Sequence, residues 1–231
     1  MTIAIDGPVG AGKSTIAQGV ADALGILHLD TGAMYRAMGL KALRAGIDPK
    51  DAAAAEALCA ETDISVEMGA NGQKTLLDGE DVSSLIRTAE VSAAASGVST
   101  VKAVRRRMVA LQQACAKKAS MVVDGRDIGT VVLPDASFKF YLTASPEVRA
   151  KRRDLEMQQK GEPGSYEEVL AAVIARDDQD MHREADPLRR ADDAFRLDSS
   201  NQTLDETGQA MLDGIREAEK SAFTEFPACC A

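Results

Sequence analysis

The chain has 231 residues, with 27 Lys and Arg against 36 Asp and Glu, giving a formal net charge of −9. That balance argues against a general nucleic-acid or anionic-membrane binder, and no apolar run approaches the ~20 residues of a bilayer span. At 45% hydrophobic and 27% charged residues the chain suits one soluble α/β domain with insertions.

The N-terminus enters a β-favouring run at once, Thr2–Asp6, without a basic segment, so no targeting signal is expected. Gly7-Pro8-Val9-Gly10-Ala11-Gly12-Lys13-Ser14 follows, then Thr15 and a helical pattern through Ile16, Val20 and Leu24 that Gly25 stops. Strand, Gly-rich loop and helix together form the context of a phosphate-binding loop. The glycines let backbone N–H groups point at phosphate oxygens, and the helix N-terminus adds partial positive charge. Lys13 is expected to reach the β- and γ-phosphates of a nucleotide and Ser14 to bind Mg²⁺.

Ile26–Asp30 reads as a second strand, ending at a Thr31-Gly32 turn into a helix that carries Tyr35 and Arg36, a second anion pocket. Ile64–Met68 and Lys74–Asp78 flank Gly69-Ala70-Asn71-Gly72-Gln73 as a β-hairpin, with Gly79-Glu80-Asp81-Val82 turning away from it. A hairpin inside a βα series is an insertion. Thr100–Lys118 is a long helical stretch rich in Arg and Lys. Met121–Asp124 is a third core strand running into Gly125-Arg126-Asp127-Ile128-Gly129-Thr130, where glycine permits close backbone approach and Arg126 can grip phosphate bidentately.

Phe138–Leu142 and Ala194–Asp198 complete five strands separated by helices, which predicts a doubly wound sheet with ligands at the carboxyl ends of its strands. Between these two runs, Arg176, Asp180 and Arg183 fall on one helical face. Lys160–Ser165 reads as a loop between helices and Phe223–Ala231 as a frayed tail. Cys59, Cys115, Cys229 and Cys230 lack metal-ligand spacing and read as reduced cytosolic thiols. His28 and His182 are expected to serve structure rather than chemistry.

Several of these segments, in order, resemble the bacterial cytidylate (CMP) kinases. They are Ile5–Ser14, Asp30–Arg36, Ile86-Arg87-Thr88 with Glu90-Val91, Asp124–Val132, Arg176-Asp177-Asp178 and Leu197–Ser200. The resemblance implies a P-loop three-layer α/β/α fold with a central parallel five-stranded sheet, a small β-containing substrate-binding insert and a helical lid. The core would occupy about 1–30, 84–145 and 185–222, the insert about 31–83 and the lid about 146–184.

It also implies transfer of a phosphoryl group from ATP, with Mg²⁺, to CMP or dCMP. By motif, residues 7–15 bind ATP together with lid arginines Arg149 and Arg153, and Ser14 holds the metal. Lys13, Arg126 and Arg183 are the expected catalytic residues. Arg36, Arg126 and Arg183 would grip the acceptor phosphate. Ser96, Arg105 and Asp127 would read the cytosine edge, although Arg106 and Arg107 compete with Arg105. Thr31 and Tyr35 would line the pocket, and Arg176 and Asp180 would contact the ribose. Asp124 resembles a Walker-B aspartate, acting through water or structurally. A P-loop kinase for another small acceptor, or a nucleotide sensor without turnover, remains the alternative. A cytoplasmic monomer is expected, with small nucleotides as its only partners.

Overall fold

The computed structural model describes residues 1–69, 72–159, 161 and 164–224. The five expected strands are present as β1 (Thr2–Asp6), β2 (Leu27–Asp30), β6 (Met121–Gly125), β7 (Phe138–Thr143) and β8 (Phe195–Asp198). They form one parallel sheet in the order β2-β6-β1-β7-β8. The register pairs Asp30 with Asp124, Asp6 with Gly125 and Thr143 with Asp198. All the carboxyl ends therefore lie along one edge, where an open α/β sheet binds its ligands.

Alternation of side chains across the sheet divides the core in two. Ile3, Ile5, Val122, Phe140 and Leu142 face α1 (Lys13–Leu24) and α8 (Leu204–Thr224). Ala4, Leu29, Met121 and Val123 face α2 (Thr31–Ala45) and α5 (Lys102–Ala116). Burial on both faces explains why these strands read as continuous apolar runs. On the second side, α2 also packs against α4 (Ala89–Val98). A Cβ at Gly39 would lie 2.6 Å from the backbone nitrogen of Ala95, so only glycine lets these helices approach so closely.

Between α2 and α4 the chain inserts α3 (Ala52–Glu61) and a separate antiparallel sheet of β3 (Ile64–Gly69), β4 (Gly72–Leu77) and β5 (Glu80–Asp81). The expected hairpin is there, and Glu80-Asp81, read as a departing turn, pairs as a third strand. Ala70 and Asn71 of its turn lie outside the described residues. Ion pairs Lys41–Asp78 (2.6 Å) and Arg44–Glu80 (2.6 Å) tie this sheet to α2. The Gln73 amide bonds the backbone of Asp30 on both sides, accepting from its nitrogen (2.8 Å) and donating to its carbonyl (3.2 Å). That side chain acts as a strand partner for the exposed edge of β2.

α6 (Pro146–Gln159) and α7 (Tyr166–His182) pack as a helical hairpin over a small core of Ala150, Val169 and Val173. Ser165 and Glu168 form a reciprocal capping box that starts α7. Lys160, Glu162 and Pro163 of the intervening loop lie outside the described residues. So does 225–231, including Cys229 and Cys230. Phe223, expected in the tail, lies in α8, which runs to Thr224. Among the described residues no helix is long and apolar enough to cross a membrane.

Asp6 joins the two loops at the sheet edge. Its carboxylate accepts from the backbone nitrogens of Ile128 and Gly129, both at 2.7 Å. Burial outweighs these bonds and raises Asp6 to about 6. A carboxyl raised above its unfolded value is penalised when ionised, so its contribution falls as pH rises from about 4 to about 6 and is flat above. Asp6→Asn is expected to remove a slope of up to about 1.4 kcal/mol per pH unit in that window. Urea midpoints measured from pH 4 to 7 check this, and an unchanged slope in the variant refutes it.

Candidate active site

The loop between β1 and α1 is built around glycines. Gly10 and Gly12 have φ of +74° and +92°, and Gly12 is the residue from which α1 starts. A Cβ on Gly7 would lie 1.9 Å from the carbonyl oxygen of Leu142, so the turn out of β1 requires glycine. Lys13 is buried, and its ammonium donates to the Pro8 carbonyl (2.7 Å) inside its own loop. Burial, then the nearby Arg126, lowers it to about 7.

Ser14 Oγ donates to Asp124 Oδ2 at 2.9 Å, across the switch between β1 and β6. The other oxygen of Asp124 lies 2.7 Å from His28 Nε2, and His28 Nδ1 lies 3.1 Å from Gln18 Oε1. A hydroxyl and a carboxylate oxygen at the foot of a phosphate loop form a hard-oxygen pair of the kind Mg²⁺ prefers. No group of three or more His, Cys, Asp or Glu suited to a metal occurs among the described residues.

The second expected pocket opens at Asp30, which caps α2 by accepting from Ala33 N (3.0 Å) and also accepts from Arg36 Nη2 (2.6 Å). Arg87 stands 4.0 Å from the same oxygen. Burial opposes ionisation of Asp30, but Arg36 and then Arg87 override it and hold the carboxyl below its usual range. Arg36 Nε is buried without a hydrogen-bond partner among the described residues, as is the Tyr35 hydroxyl. Thr31 does not present its hydroxyl here, because Oγ1 donates to the Asp124 carbonyl (2.7 Å).

The turn after β6 is a single π-helical turn over Ile128–Val132, a deformation frequent at functional sites. It presents Arg126 and Asp127 beside the C-terminal end of α7. Asp180 is fully buried and forms the hub. It accepts from Arg126 Nε (2.8 Å) and Arg176 Nε (3.3 Å), with Arg183 Nη1 at 3.9 Å. Burial works against its ionisation, but Arg126 and Arg176 outweigh it and hold Asp180 below the ordinary carboxylate range. Asp127 pairs with Arg105 and lies 3.6 Å from Arg183. Arg105 is almost wholly buried and stacks over the Tyr35 ring at 5.7 Å.

The three arginines of Arg105-Arg106-Arg107 have different surroundings. Arg106 is exposed, and Arg107 binds the carbonyls of Cys59 and Thr62 on the insert. Ser96 is buried in the same cluster, but its hydroxyl accepts from Gln179 (2.7 Å), a residue that motif reading passed over. Asp180 and Arg176 pair within the arginine hub.

The two lid arginines expected at ATP differ in their surroundings. Arg149 is buried, and it donates to Asp177 through both Nη atoms (3.0 and 2.6 Å), to Ala144 O and to Val9 O. In this arrangement it braces α6 against α7 and the phosphate loop. Arg153 is at the surface, paired with Glu156 at 3.3 Å. Arg152 instead reaches Ala11 O (3.3 Å) together with Ser199 Oγ and O (3.0 and 2.8 Å), all neutral acceptors. The spacing of the three arginines gives no sign of this. Their helical phase against α7 and β8 sets it. His182 is exposed on Asp178, and neither histidine meets the arginine cluster.

Comparison with known proteins accords with this geometry. Residues 3–217 match the sequence family described as cytidylate kinase. A cytidylate kinase from Caldicellulosiruptor saccharolyticus is 49% identical over 213 residues, covering 92% of this chain and 94% of the relative. One from Geobacter sulfurreducens is 46% identical over 221 residues, covering 96% and 95%. Among solved structures, a gluconokinase from Sinorhizobium meliloti shares the fold, with a TM-score of 0.51 at 15% identity and coverage of 97% of each chain.

Proposed function

The chain belongs to the cytidylate kinase family, and on that premise we propose that it transfers the γ-phosphoryl of ATP to the phosphate of CMP or dCMP with Mg²⁺, giving ADP and CDP or dCDP. The observation that carries this reading is the fully buried Asp180, which gathers Arg126, Arg176 and Arg183 at the sheet edge that also holds the phosphate loop. In a chain of net charge −9, that concentration of guanidinium groups suits a second phosphate facing the first.

Ser14 and Asp124 would hold Mg²⁺, which supplies charge neutralisation between the phosphates when bound. An oxygen of the CMP phosphate attacks the γ-phosphorus, an O–P bond forms, and the bond from the γ-phosphorus to the bridging oxygen of ADP breaks. The attacking oxygen is already anionic, so no general base is required. The protein contributes position and charge. Lys13 leaves Pro8 O for the β- and γ-phosphates. Arg36, Arg126 and Arg183 grip the acceptor phosphate. Arg105, Asp127 and Ser96 read the base, with Arg176 toward the ribose.

In this reading the small antiparallel sheet is the substrate-binding insert and α6–α7 the lid that excludes water. The protein acts in the cytoplasm as a monomer, with ATP and CMP or dCMP as its partners. ADP release measured with CMP, dCMP, UMP and AMP as acceptors tests the assignment. CMP and dCMP are expected to give the highest kcat/KM, and preference for UMP or AMP overturns it.

Arg126→Ala is expected to lower kcat/KM for CMP about ten- to two-hundred-fold, since one charge-assisted contact is worth about 1.5–3 kcal/mol. The loss should divide between KM and kcat, because the guanidinium acts in both ground and transition states. Unchanged CMP binding and rate would make Arg126 merely a partner of Asp180. Asp127→Ala is expected to reduce turnover of CMP more than that of UMP. A carboxylate accepts from the cytosine amine but faces an acceptor oxygen in uracil. Equal losses on both acceptors would reduce Asp127 to a structural role.

A further inference from the structure

The segment that follows α7 carries a residue to which no role has been assigned above. Asp186 has φ of +50°, in the left-handed region, and precedes Pro187. Leu188 N donates to Asp180 O (2.8 Å), which folds this segment back onto the arginine hub. Asp186 then makes two contacts with different arginines. Its carboxylate oxygen Oδ2 accepts from Arg105 Nε at 2.8 Å. Its main-chain oxygen accepts from Arg183 Nε (2.8 Å) and Nη2 (2.5 Å). Arg105 is 1% exposed, whereas the Asp186 side chain is 31% exposed.

We propose that Asp186 is a positioning residue for base selection, which holds Arg105 by its Nε edge so that Asp127 stays available to the exocyclic amine of cytosine. The inference rests on the CMP-kinase reading of this site. Arg105 is a buried cation with two carboxylate partners, Asp127 on Nη2 and Asp186 on Nε. A buried guanidinium needs an anion. With Asp186 in place, part of that need is met from the solvent side of the pocket. Without it, Arg105 keeps the neutral Ser99 carbonyl (3.4 Å) and Asp127, and turns its fork onto that remaining carboxylate. Asp127 then loses capacity to accept from a cytosine amine. Uracil presents an acceptor at the same position, so its binding depends less on that capacity. The main-chain bond to Arg183 places the same residue against the acceptor-phosphate arginine, so base and phosphate recognition share one support.

Asp186→Asn tests this in the full-length chain. Asparagine tolerates the left-handed conformation, so the main-chain contact to Arg183 persists, and its amide oxygen can still accept from Arg105 Nε. Only the charge is removed. The expected result is a fall of about ten-fold in kcat/KM for CMP, carried mainly by KM, at the low end of the cost of a charged hydrogen bond because Asp186 is partly exposed. For UMP the fall is expected to be about two-fold, so the CMP-to-UMP ratio narrows about five-fold while KM for ATP stays constant. Asp186→Glu, with the charge restored on a longer arm, should recover part of the ratio. The thermal midpoint of each variant separates selection from stability. Equal losses on CMP and UMP, or no loss on either, overturn the proposal. A wild-type protein that fails to phosphorylate CMP overturns the reading beneath it instead.

Discussion

Lys13→Ala abolishes phosphoryl transfer, with turnover reduced on the order of a thousand-fold, and leaves the fold intact. The first part follows from the chemistry, because removing a preorganised donor from a developing oxyanion typically costs 10²- to 10³-fold. The second follows from the local structure. The Lys13 side chain makes one hydrogen bond among the described residues, to Pro8 O, while the course of the loop is set by Gly7, Gly10 and Gly12 and by the start of α1. Its ammonium is also buried and penalised, lowered to about 7 by burial and by Arg126. Deleting it removes an unfavourable buried charge, so the denaturation midpoint should not fall by more than about 1 kcal/mol of stability. Single-turnover ADP formation and urea melts measure the two parts. Turnover within ten-fold of wild type in a folded variant would sink the assignment of this loop to the donor phosphates.

Asp180→Ala is expected to be as severe, by a different route. It leaves Arg126, Arg176 and Arg183 crowded without their common anion. Breaking a buried ion pair from one side costs about 3–5 kcal/mol, so the variant should be strongly destabilised. Asp180→Asn keeps the shape and is the safer probe of binding. Without the hub the three guanidiniums repel one another and splay, and CMP affinity measured by calorimetry should fall by about two orders of magnitude. A stability loss with unchanged CMP affinity would make Asp180 structural only. The pH dependence is distinct. Asp180 is held below its unfolded value, so its contribution is complete above about 4 and is lost only as pH falls through the depressed folded value. Acid unfolding of the Asn variant should lack that component.

The contrast between these two residues shows what was legible in advance. Lys13 sits in a contiguous motif whose function depends on local backbone geometry, and eight adjacent residues suffice to recognise it. Asp180 was legible only as a member of a helical face. Its role as a hub depends on Arg126, which is 54 residues away in the chain. Arg105 makes the same point. Three consecutive arginines are equivalent in a sequence, and the phase of α5 buries the first, exposes the second and turns the third onto the insert. Arg149 ran the other way. The resemblance places it at the nucleotide, and the structure adds a buried pair with Asp177 on the neighbouring helix that its place in the sequence does not indicate.

The amino-acid sequence by itself determined the parallel sheet, the phosphate loop, the hairpin insert and the residue types gathered at the sheet edge. Each of these follows from periodicity or from local backbone chemistry within a few consecutive residues. Only the tertiary structure decided which arginine answers which carboxylate. It also decided that Glu80-Asp81 adds a strand to the insert, that Gln73 closes the edge of β2, and that Asp186 supports Arg105 from 81 residues away. The physical reason is that a buried charge takes its partner from whatever packing brings within about 3 Å, and helix phase and chain crossover set that distance without leaving a pattern in the local sequence.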